Sequence, residues 1–224
     1  MRLCEDNQLR SKASWPSDSC IIVIDDDQDF RESLGRLVRS VGLDARLFAS
    51  IDDFRRSKLP NSPTCLVLDV RLPGQSGLDF QRDLTGANAR LPVVFITGHG
   101  DIPMTVQAMK AGALEFLTKP VREQDLLDAI NVGLVRDQLR RESEQALDTL
   151  RARFNVLTPR ERTILKRIVD GRLNKQIAGE LNIAESTVKV HRSNMMRKIK
   201  AGSVPELCRM LEKLKLTGGV SDPP

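Results

Sequence analysis

Five short apolar runs divide the first half of the chain, at residues 20–24, 45–48, 65–68, 92–96 and 115–118. The run Ile21-Ile22-Val23-Ile24 carries no polar residue at alternate positions. A strand built from it has no face to offer water, so it belongs in a parallel sheet covered on both sides. Amphipathic stretches lie between the runs. After the first run, Leu34, Leu37, Val38 and Val41 recur at helical spacing, and Asp29-x-x-Glu32 reads as the capping box that opens this helix. Alternating strands and helices predict an α/β domain with a doubly wound, five-stranded parallel sheet. Folds of this kind place their sites at the carboxyl ends of the strands.

The second half reads differently. Residues 123–154 form one unbroken helical pattern with no Pro and a single Gly, Gly133. Leu126, Leu127, Ile130 and Leu134 make its core face. Charge becomes dense after residue 135, and only a thin stripe of Leu139, Ala146, Leu147, Leu150 and Phe154 continues. This segment is expected to be a helical linker, with its stripe left to pair with another copy, to dock on a domain or to stand in solvent. A small all-α domain of four helices follows. Thr158-Pro159-Arg160-Glu161 is a capping box with Pro at the first helical position. Gly171 is placed to end that helix, Asn174 to cap the second, residues 185–200 to form the third, and Ser203-x-x-Glu206 to open the fourth. The expected organisation is a disordered extension at 1–19, an α/β domain at 20–135, a linker at 136–156, the helical domain at 157–216 and a tail at 217–224.

Charge separates the two domains. Residues 20–124 hold 13 basic and 14 acidic residues, whereas residues 154–224 hold 14 basic and 7 acidic. The positive excess lies in the last third and points to a polyanionic partner there. No apolar run reaches the roughly 20 residues that a membrane helix needs. The first 19 residues have no apolar centre, so no signal peptide is expected and the location is expected to be cytoplasmic. Four cysteines without metal-ligand spacing and two histidines argue against a thiolate or imidazole metal site.

The strand ends carry a distinctive set. Asp25-Asp26-Asp27 follows the first run, Asp69 the third, Thr97 the fourth and Lys119-Pro120 the fifth. A parallel sheet brings these ends to one edge. Clustered carboxylates repel, and a hard divalent cation, Mg²⁺ or Mn²⁺, relieves them through oxygen ligands. Asp69 is then placed to act as a nucleophile toward phosphorus, with the metal and Lys119 binding the phosphoryl oxygens. Thr97 is the hydroxyl available to the attached group.

With these residues in place, positions 20–124 resemble the receiver domains of response regulators, whose fold is flavodoxin-like. The resemblance implies that Asp69 is the phospho-acceptor, Asp26 a direct metal ligand, Asp25 a metal-site acid and the main-chain carbonyl of Arg71 a further ligand. It implies that Thr97 and Phe116 are switch residues, Lys119 the phosphate-binding lysine and Lys119-Pro120 a cis peptide. His99 and Arg71 take positions that tune hydrolysis in this family, and His99 is read as an exposed bystander rather than a catalytic base. The runs Thr97-Gly98-His99-Gly100-Asp101-Ile102-Pro103-Met104 and Leu72-Pro73-Gly74-Gln75-Ser76-Gly77 are similar to FixJ-type members.

The last domain carries a helix-turn-helix pattern. Asn174-Lys175-Gln176-Ile177-Ala178-Gly179-Glu180-Leu181 is followed by Asn182-Ile183-Ala184 and then by the basic helix from Glu185. Ile177, Ala178, Leu181, Ile183 and Val188 form the seam. Lys189, Arg192, Arg197 and Lys198 are cations suited to phosphates and guanine edges. Residues 157–214 resemble LuxR-type output domains, which with the receiver indicates the FixJ/NarL family of two-component response regulators. By that resemblance Lys189, Val190 and Ser193 face the major groove, while Lys175, Thr187 and Arg192 meet phosphates. Ser193 stands where many relatives carry Lys or Arg, and Ala184 where many carry Ser or Thr.

The function implied is transcription regulation. A histidine kinase phosphorylates Asp69, the receiver dimerises through the 102–117 surface with Met104, Val106, Ala108 and Met109, and paired output domains bind double-stranded promoter DNA. RNA polymerase is a further partner the resemblance allows; a membrane is not. The chain is expected to be no enzyme beyond self-catalysed phosphotransfer and autodephosphorylation. Two alternatives stay open from the residues: a stand-alone phosphotransfer enzyme, opposed by Arg71 where haloacid-dehalogenase-type phosphatases need an Asp, and a constitutive DNA-binding protein with an inert receiver.

Overall fold

The structure, a computed structural model, describes residues 15–86, 91–98 and 100–216. It divides into two compact units, Met1–Arg141 and Glu142–Pro224. In the first, five parallel strands are ordered β2-β1-β3-β4-β5. They are β1 (Cys20–Ile24), β2 (Asp44–Phe48), β3 (Thr64–Asp69), β4 (Val93–Thr97) and β5 (Glu115–Thr118). Helices α1 (Gln28–Ser40), α2 (Ile51–Arg56), α3 (Gly77–Gly86), α4 (Ile102–Lys110) and the start of α5 (Glu123–Asn155) connect and cover them.

Period-two alternation builds two cores from the same strands. Ile21, Val23, Cys65, Val67, Val94 and Ile96 meet Leu34 and Val38 of α1 and Leu126, Ile130 and Leu134 of α5. Ile22, Ile24, Leu66, Leu68, Val93 and Phe95 meet Ile51 and Phe54 of α2, Leu78 and Phe80 of α3 and Ala108 of α4. Every residue of β1, β3 and β4 is buried, as the continuous apolar runs require.

Several expectations are corrected. The cap of α1 is Asp27, which accepts from the Phe30 N–H at 3.1 Å, so the box expected at Asp29 and Glu32 lies inside the helix. Residues 15–19 do not belong to a disordered extension. Trp15 packs against the α1–α5 side of the core, and Ser19 is buried with its hydroxyl donating to the Pro16 carbonyl. Residues 1–14 and the tail at 217–224 lie outside the described residues.

The expected linker at 136–156 is also divided, at a boundary inside α5. Asp137 is fully buried. It accepts from the Thr64 N–H at 3.0 Å, from Arg140 Nε at 3.0 Å and from Arg141 Nε at 2.6 Å, which ties the helix to the start of β3. A buried carboxylate is tolerable only with such complete pairing, so this stretch belongs to the first unit. Beyond Glu142, Leu147 and Leu150 are buried with Leu214, against Met210 and Phe154. Of the expected stripe Leu147 and Leu150 are therefore core, while Leu139 stands 61% exposed.

The second unit adds α6 (Pro159–Val169), α7 (Asn174–Leu181), α8 (Glu185–Ile199) and α9 (Val204–Leu216). Ile164, Leu165, Ile177, Val188, Met195, Ile199 and Leu207 form its core. The box at α6 forms in full: Thr158 Oγ1 accepts from the Glu161 N–H, and Glu161 accepts from the Thr158 N–H at 2.8 Å. At α9 only half forms, because the Glu206 carboxylate accepts from the Gly202 N–H rather than from that of Ser203. Among the described residues no helix is long and apolar enough to cross a membrane.

Glu161 is 3% exposed and also receives Lys198 Nζ at 2.7 Å. Burial opposes its charge, but the Lys198 and Thr158 donors outweigh burial and hold the carboxyl below its usual value. A lowered acid contributes stability that is complete above the unfolded-state pKa and is lost as pH falls through the folded one. Replacing Glu161 with Ala is expected to destabilise the second unit by about 2 kcal/mol at neutral pH, by removing charged hydrogen bonds. Urea unfolding followed by hydrogen exchange at α6 checks this, and the difference between variant and wild type should shrink as pH falls through the acid range.

Candidate functional site

The register places the acidic residues before any side chain is considered. Ile24 of β1 pairs with Leu68 of β3, so Asp25 and Asp69, each the next residue, emerge side by side at the carboxyl edge. This is where the strand order changes direction, with β2 on one side of β1 and β3 on the other. Asp25 and Asp69 are buried and Asp26 is exposed. One carboxylate oxygen from each of the three lies within 4.8 Å of the others. Gly77, at the start of α3, sits against the Asp69 carbonyl so closely that any side chain there would displace it.

Lys119 reaches the same point from the end of β5. Its N–H donates to the Thr97 carbonyl at 2.8 Å, and the Lys119-Pro120 peptide is cis. Its ammonium donates to Asp25 Oδ2 and Asp69 Oδ2, each at 2.8 Å. The other Asp69 oxygen accepts from the Arg71 N–H at 3.0 Å. Burial pushes the Asp25 carboxyl up, Asp69 adds to this, and Lys119 opposes it. Burial acts to lower the Lys119 pKa, but its two carboxylate partners outweigh burial and raise it. The lysine therefore remains charged at neutral pH.

The three carboxylates form an all-oxygen donor set of the kind that suits Mg²⁺ or Mn²⁺, and their mutual proximity fits one small cation. Thr97, fully buried, ends β4. Phe116 is half-buried; its ring lies 6.2 Å from Phe95, and its edge and the Thr97 methyl both border Gly100. His99 lies outside the described residues. Two contributors carry no signal in the sequence. The Phe30 ring lies 4.1 Å below the Lys119 ammonium, and Arg31 donates to the Asp25 carbonyl. Both stand on the first turns of α1, and only the folded helix turns them toward the acids.

On α4, Ile102, Val106 and Met109 are 81%, 45% and 43% exposed and share one face at helical spacing. Met104 is half-buried, and Ala108, expected on this surface, is fully buried in the core beneath α4. In the second unit Lys175, Thr187, Lys189, Val190, Ser193 and Arg197 are exposed and Arg192 is half-buried. Lys198 turns inward to Glu161 and so is withdrawn from the cations available to DNA. Asn174 is the first residue of α7 rather than its cap; Leu173 occupies the cap position. Ala184 caps α8 without a side-chain bond.

Residues 21–131 match the response regulator receiver domain family, and residues 155–211 match the bacterial regulatory proteins of the luxR family. Nodulation protein W of Bradyrhizobium diazoefficiens is 48% identical over 197 residues, 88% of this chain and 87% of that protein. The response regulator protein TmoT of Ectopseudomonas mendocina is 47% identical over 208 residues, covering 93% and 94% of the two chains. The low-resolution structure of response regulator StyR matches with a TM-score of 0.80 and 48% identity, over 88% of this chain and all of that one. With an acidic, lysine-bridged sheet edge in one unit and a helix-turn-helix in the other, the chain belongs to the FixJ-like two-component response regulators, transcription regulators with a receiver domain and a LuxR-type DNA-binding domain.

Proposed function

We propose that a histidine kinase phosphorylates this chain on Asp69, that the phosphorylated receiver dimerises through the 102–117 surface, and that the paired output domains bind promoter DNA in the cytoplasm. The observation that carries the first step is the Lys119 ammonium bonded to both Asp25 and Asp69 beside Asp26. In the transfer, an Asp69 carboxylate oxygen attacks phosphorus. The nitrogen–phosphorus bond of the kinase phosphohistidine breaks, and imidazole leaves with the electron pair and takes up a proton. Arg71 and Lys119 fix the two Asp69 oxygens in orientation before attack. The Lys119 charge then faces the phosphoryl oxygens. Asp25, Asp26, Asp69 and the main-chain carbonyl of Arg71 would hold Mg²⁺ or Mn²⁺, which when bound offsets the carboxylates and draws charge from the phosphoryl oxygens.

Downstream, the Thr97 hydroxyl donates to the attached phosphoryl group, and the Phe116 ring beside it responds. The exposed Ile102, Val106 and Met109 face supports a second copy. On DNA, Lys189, Val190 and Ser193 enter the major groove, where Val190, 59% exposed, suits a thymine methyl. Lys175, Thr187, Arg192 and Arg197 meet phosphates. RNA polymerase is the further partner a promoter-bound regulator would meet. Beyond its own phosphotransfer and dephosphorylation the chain catalyses nothing.

Intact mass after acetyl phosphate and a divalent cation is expected to rise by about 80 Da, one phosphoryl group, in wild type and not in Asp69→Asn. No gain in either, with a cognate kinase also inactive, would sink the acceptor assignment. Millimolar Mg²⁺ is expected to raise the receiver melting temperature, by mass action on the folded state, and to lose that effect in Asp26→Ala. Calorimetry with and without chelator reads this directly. Met109→Asp with Ile102→Asp is expected to leave phosphorylation intact while abolishing the phosphorylation-dependent doubling of mass in sedimentation. Persistence of the dimer would place the interface elsewhere.

A further inference from the structure

Asn174 has a task that capping would have hidden. The Leu173 N–H, at the cap position of α7, is bonded to Gln176 Oε1 at 2.9 Å. The Asn174 side chain instead faces α8, where its Oδ1 accepts from Arg192 Nη1 at 3.0 Å. The bond spans the two helices of the helix-turn-helix.

The neighbouring cations of α8 are held in other ways. Lys189 pairs with the Glu185 carboxylate at 3.1 Å, and Lys198 with Glu161 at 2.7 Å. Arg197 reaches Asn194 of its own helix at 3.5 Å, the limit of a hydrogen bond, on exposed surface. A carboxylate partner orients a cation and cancels its charge at the same time. A carboxamide oxygen orients it and leaves the charge whole. It also occupies one of the five guanidinium donors, so the rest of the fork stays available for a bidentate contact with phosphate.

We propose that Asn174 is a positioning residue: it holds the fully charged Arg192 guanidinium, before DNA arrives, in the pose that meets a backbone phosphate. The inference rests on the DNA-binding reading above and deepens it. Phosphate contacts set register without reading sequence, so the effect of Asn174 is uniform across DNA sequences. Asn174 itself touches no DNA; it acts through Arg192 by sparing the ordering of a long side chain on binding.

The test is a double-mutant cycle on the full chain, with Mg²⁺ and acetyl phosphate present, titrated with a labelled duplex of arbitrary sequence at several salt concentrations. Arg192→Ala is expected to reduce the slope of log affinity against log salt by about one, the loss of one phosphate contact. Asn174→Ala is expected to weaken binding about five-fold, the worth of one hydrogen bond, with the slope unchanged. Added to Arg192→Ala, it should cost nothing further. Alanine is well tolerated at a helix start, and unchanged circular dichroism melting confirms the fold. Arg192→Lys, which keeps the charge without the fork, checks the pair from the other side. It should retain the slope, and Asn174→Ala should then cost less than in wild type. Equal losses from Asn174→Ala in the wild-type and Arg192→Ala backgrounds, or no loss at all, would overturn the inference. If wild type itself shows no salt-dependent affinity for DNA, the DNA-binding reading fails and the inference with it.

Discussion

Two carboxylates emerge together at the end of a buried sheet, and the receiver is organised around keeping them there. Asp25 and Asp69 adjoin because β1 and β3 pair in register through Ile24 and Leu68. Like charges at that spacing, removed from water, disfavour one another. Lys119 meets both, and its position depends in turn on β5 pairing with β4 and on the bond from its N–H to the Thr97 carbonyl. The acids therefore impose demands on four strands at once. A parallel sheet covered on both faces is rigid enough to hold charges that would otherwise separate, and the same charges form an oxygen donor set that suits a small cation.

The second unit handles charge in the opposite sense. Its surplus is positive, and the fold decides which cations remain available. Lys198 is drawn into the Glu161 cluster beneath α6, where it supports a helix start rather than a ligand. Arg167 and Arg172 are paired with Glu180. On α8, Arg192 is fixed by a neutral group and Val190 stands open. The basic composition of this region announced a polyanion partner, but the net charge alone did not distinguish cations that build the domain from those that can reach DNA.

Helix starts show where local reading succeeds and where it stops. The box at Thr158 formed in full because cap and partner carry the complementary groups and Pro159 fixes the first turn. At α1 two acids three residues apart from suitable partners competed. Asp27 became the cap because the chain leaves β1 in an extended conformation up to that residue and turns helical just after it. At α7 the expected cap, Asn174, lies one residue inside the helix, and Gln176 serves the Leu173 N–H instead. Such choices turn on one residue of backbone conformation, which composition does not encode. The Ala108 position erred for a related reason: α4 is amphipathic, but which flank of its stripe is covered depends on the sheet beneath it.

The sequence by itself determined the strand set, the doubly wound class, the helix-turn-helix and the identity of the residues at the strand ends. Period and apolar continuity are local properties that a chain carries in every conformation. Only the tertiary structure decided what those residues touch. It brought Phe30 beneath Lys119, set Lys119 between Asp25 and Asp69, buried Asp137 against the start of β3, and turned Asn174 toward Arg192. Each of these contacts joins residues on different elements or across the turns of a helix. Their geometry is fixed by packing, which no window of sequence contains.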